Sequence, residues 1–264
     1  MNILDKILAD KYKEVEQAKE QYPVSVLEKS VYFLQTCVSL KESLLGKDTR
    51  GIIAEIKRKS PSQGVIHPDV DVVKISTGYV SAGATALSIL TDYKYFGGTQ
   101  EDLLRARELN DCPVLRKDFM VDEYQVVEAK AMGADVILLI AAALKPNDIK
   151  HLTSFAHSFG LEVLLEVHDA NELENNLESG ADIIGVNNRN LKTFEVSLDT
   201  SLRLLPLIPS SVVKISESGI DSPEALLMLK KAGFQGFLMG QNFMKHSSPE
   251  EACRLFIESI KVHS

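Results

Sequence analysis

"AMGADVILLI", residues 131–140, closes a helical pattern at Gly133 and passes at once into an unbroken apolar run. Three other stretches do the same: "SAGATALSIL" (81–90), "ESGADIIGV" (178–186) and "KAGFQGFLMG" (231–240). Gly at such a junction supplies the turn that ends a helix. The apolar run that follows is short and nearly continuous, the pattern of a parallel strand buried on both faces. Gly83, Gly133, Gly180 and Gly233 recur about every 50 residues, the length of roughly two βα units of a barrel.

Midway between these junctions lie four more apolar runs: "GIIAEIK" (51–57), "PVLRKDF" (113–119), "LEVLLEV" (161–167) and "VVKISESG" (212–219). Helical patterns fill the gaps. Asp221-Ser222-Pro223-Glu224 and Ser248-Pro249-Glu250 place Pro at the start of a helix and acid in its first turn. Strict alternation of strand and helix implies an α/β protein with a parallel sheet, and eight repeats after residue 50 imply a closed (βα)8 TIM barrel. The rival, an open doubly wound sheet, usually carries a Gly-rich dinucleotide turn after its first strand, and the chain has no GxGxxG. Residues 1–264 are expected to form one barrel domain, with 1–50 as an N-terminal helical extension. Helices are expected there at 2–20, at about 24–30 and at about 34–45. The pattern does not say whether they cover the bottom of the barrel or its mouth.

The composition of the 264-residue chain, 45% hydrophobic and 25% charged, is that of a soluble globular protein. A net charge of −8 and a pI near 5.3 argue against nucleic-acid and anionic-membrane partners. Cys37, Cys112 and Cys253 are far apart and form no CxxC, so neither a disulfide framework nor a zinc site is expected. Cys37 and Cys253 are expected in helices, and a reducing cytoplasm fits this usage. The opening "MNILDKILADKYKEVEQAKEQ" mixes both charge signs and lacks a signal-peptide core, and no apolar run is long enough to span a bilayer.

Barrel enzymes work at the C-terminal ends of their strands. Residues i and i+2 share a face. Glu55 and Lys57 therefore point together at the end of the first strand; so do Leu115, Lys117 and Phe119 on the third, and Glu162, Leu164 and Glu166 on the fifth. The sixth strand ends at Asn187, followed by Asn188 and Arg189, and the seventh at Glu217, followed by Ser218 and Gly219. One charged strand end is ordinarily just solvated. Six polar groups at the same end of five strands are a different matter, because buried charges are costly unless paired. A self-neutralising set of lysines and glutamates suits general acid–base work: burial lowers a lysine's pKa and neighbouring carboxylates push it back. The turns "SESGI-DSP" and "FLMG-QN" lead into helices where barrels often bind phosphate, which nominates Ser218, Gly219, Gly240 and Gln241.

The six histidines are scattered. Glu166-x-His168 and His168-x-x-Asn171 have the wrong spacing for a metal pair, so no metal is expected. There is no GxSxG, no Cys/His pair and no Walker loop to support hydrolase or nucleotidase chemistry.

Taken in order, "AEIKRKSPSQG", "LTDYKYFGGT", "PVLRKDF", "GLEVLLEVH", "IIGVNNRNL", "SESGI" and "FLMG" resemble the indole-3-glycerol phosphate synthase family over the whole chain. The resemblance implies a (βα)8 barrel whose N-terminal extension helps cover the site. It implies a carboxy-lyase of tryptophan biosynthesis with no metal or organic cofactor. The implied substrate is a phosphosugar, 1-(2-carboxyphenylamino)-1-deoxyribulose 5-phosphate, and the products are indole-3-glycerol phosphate, CO2 and water. It implies that Lys117 is the general acid of ring closure, that Glu166 steadies the cationic intermediate or moves protons, and that Glu55 and Lys57 complete the acid–base set. Which lysine serves which step stays open. Asn187, Arg189, Glu217 and Ser218 are implied substrate ligands. Ser60, Phe96, Phe119, Leu138, Ile140 and Leu191 are implied to surround the aromatic ring and its carboxylate. Departures are small: Gln63 stands where relatives often have Lys, Phe96-Gly97-Gly98-Thr99 ends in Thr, and Gln241 follows Gly240. A cytoplasmic monomer or weak homo-oligomer is expected. The rivals are another phosphate-binding barrel, such as phosphoribosylanthranilate isomerase, and a barrel that binds without turnover. The former needs a catalytic cysteine at a strand end, where this chain has none.

Overall fold

In the computed structural model, which describes residues 3–190 and 193–263, the eight apolar runs are eight parallel strands. They are β1 (Ile52–Ile56), β2 (Ala86–Leu90), β3 (Val114–Lys117), β4 (Val136–Ile140), β5 (Glu162–Val167), β6 (Ile183–Asn187), β7 (Val213–Glu217) and β8 (Gly236–Met239). Each pairs with the next in sequence, and β8 pairs with β1 to close the barrel. Register sets the mouth: Ile140 lies opposite Glu166, and Asn187 opposite Glu217.

Nearly every strand residue is buried because the barrel has two cores. Ile53, Leu115, Val136, Leu138, Leu164 and Ile215 point inward and pack together. Ile52, Ile56, Leu87, Ile89, Ile137 and Leu139 point outward onto the helices. The outer ring consists of α4 (Val72–Ala82), α5 (Gln100–Leu109), α6 (Glu123–Ala131), α7 (Pro146–Ser158), α8 (Ala170–Glu174), α9 (Asp199–Leu204), α10 (Pro223–Ala232) and α11 (Pro249–His263). The four repeat glycines have φ of 105° (Gly83), 81° (Gly133), 79° (Gly180) and 128° (Gly233), where a Cβ would be strained. Chain reversal from helix to strand explains the repeat.

The extension forms α1 (Ile3–Gln21), α2 (Val24–Leu27) and α3 (Leu40–Leu45), numbered ahead of α4. It serves both ends of the barrel. Leu40 and Leu44 of α3 are buried in the inner core and plug its bottom. Glu162 anchors this plug: it accepts a hydrogen bond from the Ser39 hydroxyl and another from the Lys41 N–H at 2.9 Å. Glu162 and Glu166 share a face, but four residues separate them by about 13 Å, so one serves the bottom and the other the mouth. α1 crosses the mouth. Its Lys11 is buried against Asp92 (3.0 Å) and Asp118 (2.9 Å). Asp10 takes Lys94 at 2.7 Å and the Tyr95 hydroxyl, and Lys19 takes Asp122 at 2.8 Å.

Some sequence expectations need correction. The second helix stops at Leu27 rather than near 30, and the third begins at Leu40 rather than near 34. Ser39 caps that helix by accepting the Glu42 N–H, and residues 36–39 belong to no helix or strand, so Cys37 lies outside any helix. "DANELENNLESG" yields only five helical residues, and Lys59–Ser60 pairs with Gly64–Val65 in a small hairpin beyond β1. No helix among the described residues is long and apolar enough to cross a membrane.

Candidate active site

The strand ends converge on one cavity at the barrel mouth. Glu55, Lys57, Lys117, Glu166, Asn187, Arg189, Glu217, Ser218, Gly219, Gly240 and Gln241 all line it. So do Ser60, Phe96, Phe119, Leu138 and Ile140. Leu191 lies outside the described residues.

Two lysine–carboxylate pairs occupy different parts of the rim. At the end of β1, Lys57 Nζ donates to Glu55 Oε1 at 2.6 Å. Across the mouth, Lys117 Nζ from β3 donates to Glu166 Oε2 of β5 at 3.0 Å and stands 3.6 Å from Glu217 Oε2 of β7. Glu166 Oε1 accepts Asn187 Nδ2 at 3.1 Å. Glu55, Glu166 and Glu217 are each at most 4% exposed, so these charges interact through protein rather than bulk water.

Burial alone would lower the Lys117 pKa, but Glu166, Glu217 and Glu55 outweigh it and hold the ammonium above its ordinary value. Burial pushes Glu166 the other way from its partners; Lys117 and His168 win, and it stays well below the usual carboxylate range. Glu217 is different. Burial dominates, Lys117 compensates only partly, Glu166 and Glu55 repel, and its pKa rises. Its Oε1 has no hydrogen-bond partner among the described residues. The rim therefore carries a protonated lysine, an ionised glutamate and a glutamate inclined to be protonated.

One wall is apolar. Phe96 and Phe119 have ring centroids 6.1 Å apart, beside Leu138 and Ile140. α1 adds Ile3, Leu4 and Ile7, and β8 adds Leu238 and Met239. The turns after β7 and β8 also line the cavity. Ser218 and Gly219 have φ of 66° and 78°, which rotates successive N–H groups. Gly240 begins the turn Gln241–Met244, and the Gln241 side chain accepts Arg189 Nη2 at 3.2 Å. A Cβ at Gly240 would stand 2.6 Å from Glu55 Oε1, so this glycine gives Glu55 its room.

Sequence reasoning passed over the groups behind the rim. Asp118 follows Lys117 and is buried, with Lys11, Arg116 Nη2 (3.2 Å) and the Thr91 hydroxyl (2.6 Å) around it. Burial would raise its pKa, but Lys11 and Arg116 bring it down to about 2. Arg116 in turn reaches Glu128 at 2.6 Å. The "RKD" string is the only local signal, since Lys11 and Thr91 lie on other elements. Asn188, from "NNR", turns away from the cavity and ties Ser216 Oγ and the Ser218 carbonyl.

A family model described as indole-3-glycerol phosphate synthase matches residues 4–256. A curated protein of that name from Bacteroides thetaiotaomicron is 46% identical over 260 residues, 98% of this chain and 99% of its own length. One from Laribacter hongkongensis is 46% identical over 259 residues, 95% of this chain and 97% of its own. Among solved structures, 3-hexulose-6-phosphate synthase from Salmonella typhimurium aligns with a TM-score of 0.64 at 12% identity, covering 81% of this chain and all of its own. That likeness is one of fold.

Proposed function

This chain belongs to the indole-3-glycerol phosphate synthase family, and we propose that its barrel mouth performs that family's reaction by acid–base catalysis, with Lys117 as the acid of ring closure. The substrate is 1-(2-carboxyphenylamino)-1-deoxyribulose 5-phosphate. The ring carbon bearing the carboxylate attacks the sugar ketone, and Lys117 gives a proton to the ketone oxygen. The new carbon–carbon bond leaves a cationic, non-aromatic ring, which Glu166 steadies. The carboxylate departs as CO2 and its electron pair restores the aromatic ring. An acid then protonates the former ketone oxygen, which leaves as water, and a base removes a proton from the neighbouring methylene carbon to complete the indole. The Glu55–Lys57 pair offers one base and one acid for that second stage.

The single observation that carries this reading is two separate lysine–carboxylate pairs on one rim, facing an apolar wall. An aromatic carboxylate loses CO2 most readily where its charge is poorly solvated. Phe96, Phe119, Leu138 and Ile140 would hold the ring there, with Ser60 from the hairpin, and α1 would close over it. Asn187, Arg189, Glu217 and Ser218 would bind the sugar and carboxylate, and Gly219, Gly240 and Gln241 the phosphate. We further propose a cytoplasmic setting, a monomer or weak homo-oligomer, and residues 1–264 acting as one domain. Lys117→Ala tests the assignment: kcat should fall by at least about 10²-fold, the scale of a general acid. A near-wild-type kcat would remove Lys117 from its role.

A further inference from the structure

His168 stands just past the end of β5, two residues beyond Glu166 and on the same face. Its side chain is only 11% exposed. Nδ1 lies 3.1 Å from Glu172 Oε2 of α8, and that same oxygen accepts the His168 backbone N–H at 2.8 Å. Nε2 lies 3.3 Å from Glu166 Oε1, a charge contact off the line of a hydrogen bond. The two oxygens of Glu166 are thus divided: Oε1 meets His168 and Asn187, and Oε2 meets Lys117.

We infer that His168 is a positioning residue: held as a cation between Glu172 and Glu166, it pins Glu166 Oε1 to the wall so that Oε2 stays on Lys117. The inference rests on the role proposed above for Glu166. Charge balance favours it. Glu166, Glu172 of α8 and Glu217 of β7 face this corner with Lys117 of β3 as the opposing cation, while β6 contributes the neutral Asn187. A neutral imidazole would leave Glu166 and Glu172 without the cation that lies between them. Burial by itself would lower the His168 pKa, but its two carboxylates outweigh burial and bring it up to about 10. The ring is therefore charged at neutral pH, and Glu166 is kept ionised from the side away from the substrate. The same contact stops the carboxylate rotating, so a proton shuttled through Oε2 meets a fixed acceptor.

His168→Leu removes both ring donors, and His168→Gln keeps an N–H near the Nε2 position. In the ring-closure assay His168→Leu should lower kcat about tenfold, as Glu166 loses its fixed orientation, and leave KM within about twofold. Its acid limb of kcat against pH should move upward, because Glu166 becomes easier to protonate. His168→Gln keeps an N–H but not the charge, so it should recover only part of the loss and keep the displaced acid limb. A kcat for His168→Leu matching wild type, or an acid limb in His168→Gln that stays at the wild-type position, would overturn the inference. A wild-type measurement covers the case where the leucine variant does not fold. In 15N-histidine NMR at pH 8, both His168 ring nitrogens should carry protons, and a neutral ring would overturn the inference. The NMR result does not depend on turnover, so a wild-type protein inactive in the assay would count against the proposed reaction alone.

Discussion

Replacing Lys11 by Met removes the buried cation that lies between Asp92 and Asp118 and anchors α1 over the mouth. The cost can be reached in two ways. Removing one partner of a buried ion pair costs about 3–5 kcal/mol, mostly from the charge left behind. Asp118 keeps Arg116 and Thr91, which places the change near the lower end. Independently, the fall of the Asp118 pKa from 3.8 to about 2 corresponds to about 2–3 kcal/mol of stability at neutral pH. Lys11 is the largest of the contributors that lower it, and Asp92 loses its contact as well. A loss of about 3 kcal/mol should lower Tm by about 6–12 °C in a chain of this size. The pH dependence is specific. A depressed carboxylate pKa contributes stability above the unfolded value of about 3.9, and that contribution disappears as pH falls through about 2. The gap between Lys11→Met and wild type should therefore be full at neutral pH and narrow between about pH 4 and pH 2. Urea unfolding across that range measures it. A variant within about 0.5 kcal/mol of wild type at neutral pH, the scale of a neutral surface change, would refute the buried-anchor reasoning.

Other expectations follow from the same geometry. Glu166→Gln should lower kcat by at least about 10²-fold with the circular dichroism unchanged; a rise in KM alone would make Glu166 a binding group. Gly240→Ala places a Cβ 2.6 Å from Glu55 Oε1 and 2.9 Å from Glu55 Cβ. It should lower kcat/KM by about 10²-fold through a displaced Glu55, and lower Tm as well because the Glu55 Cβ must also move; unchanged kinetics would show that Glu55 has slack. Leu44→Ala empties part of the bottom plug and should cost about 2–5 kcal/mol in urea unfolding without lowering kcat at a temperature where the barrel is folded.

The barrel was legible because two local signals repeat. A helix-ending glycine and an apolar run recur in step, and the fold needs both at every second unit. The rim was legible because side chains alternate: once "GIIAEIK" and "PVLRKDF" are strands, Glu55, Lys57 and Lys117 must point inward. The same rule placed Glu162 and Glu166 on one face without revealing that Glu162 caps α3, since Ser39 lies 123 residues away in sequence. Lys11 resembles any lysine on an amphipathic helix, and only tertiary packing shows it buried at 1% exposure. His168 was weighed as a metal ligand on spacing and set aside. Its actual neighbours, Glu166 and Glu172, sit at i−2 and i+4, a combination that makes sense only at a strand-to-helix corner. The extension misled because Ser39, not the apolar spacing of 34–45, decides where its last helix starts.

The most direct test of the central claim uses a property of the chain itself. It contains no tryptophan, so indole emission has a dark background. The purified protein would be mixed with 1-(2-carboxyphenylamino)-1-deoxyribulose 5-phosphate in the presence of a chelator, following indole fluorescence and released CO2 together. The account predicts that both rise, one CO2 for each indole formed. Folded protein that yields neither signal would contradict it.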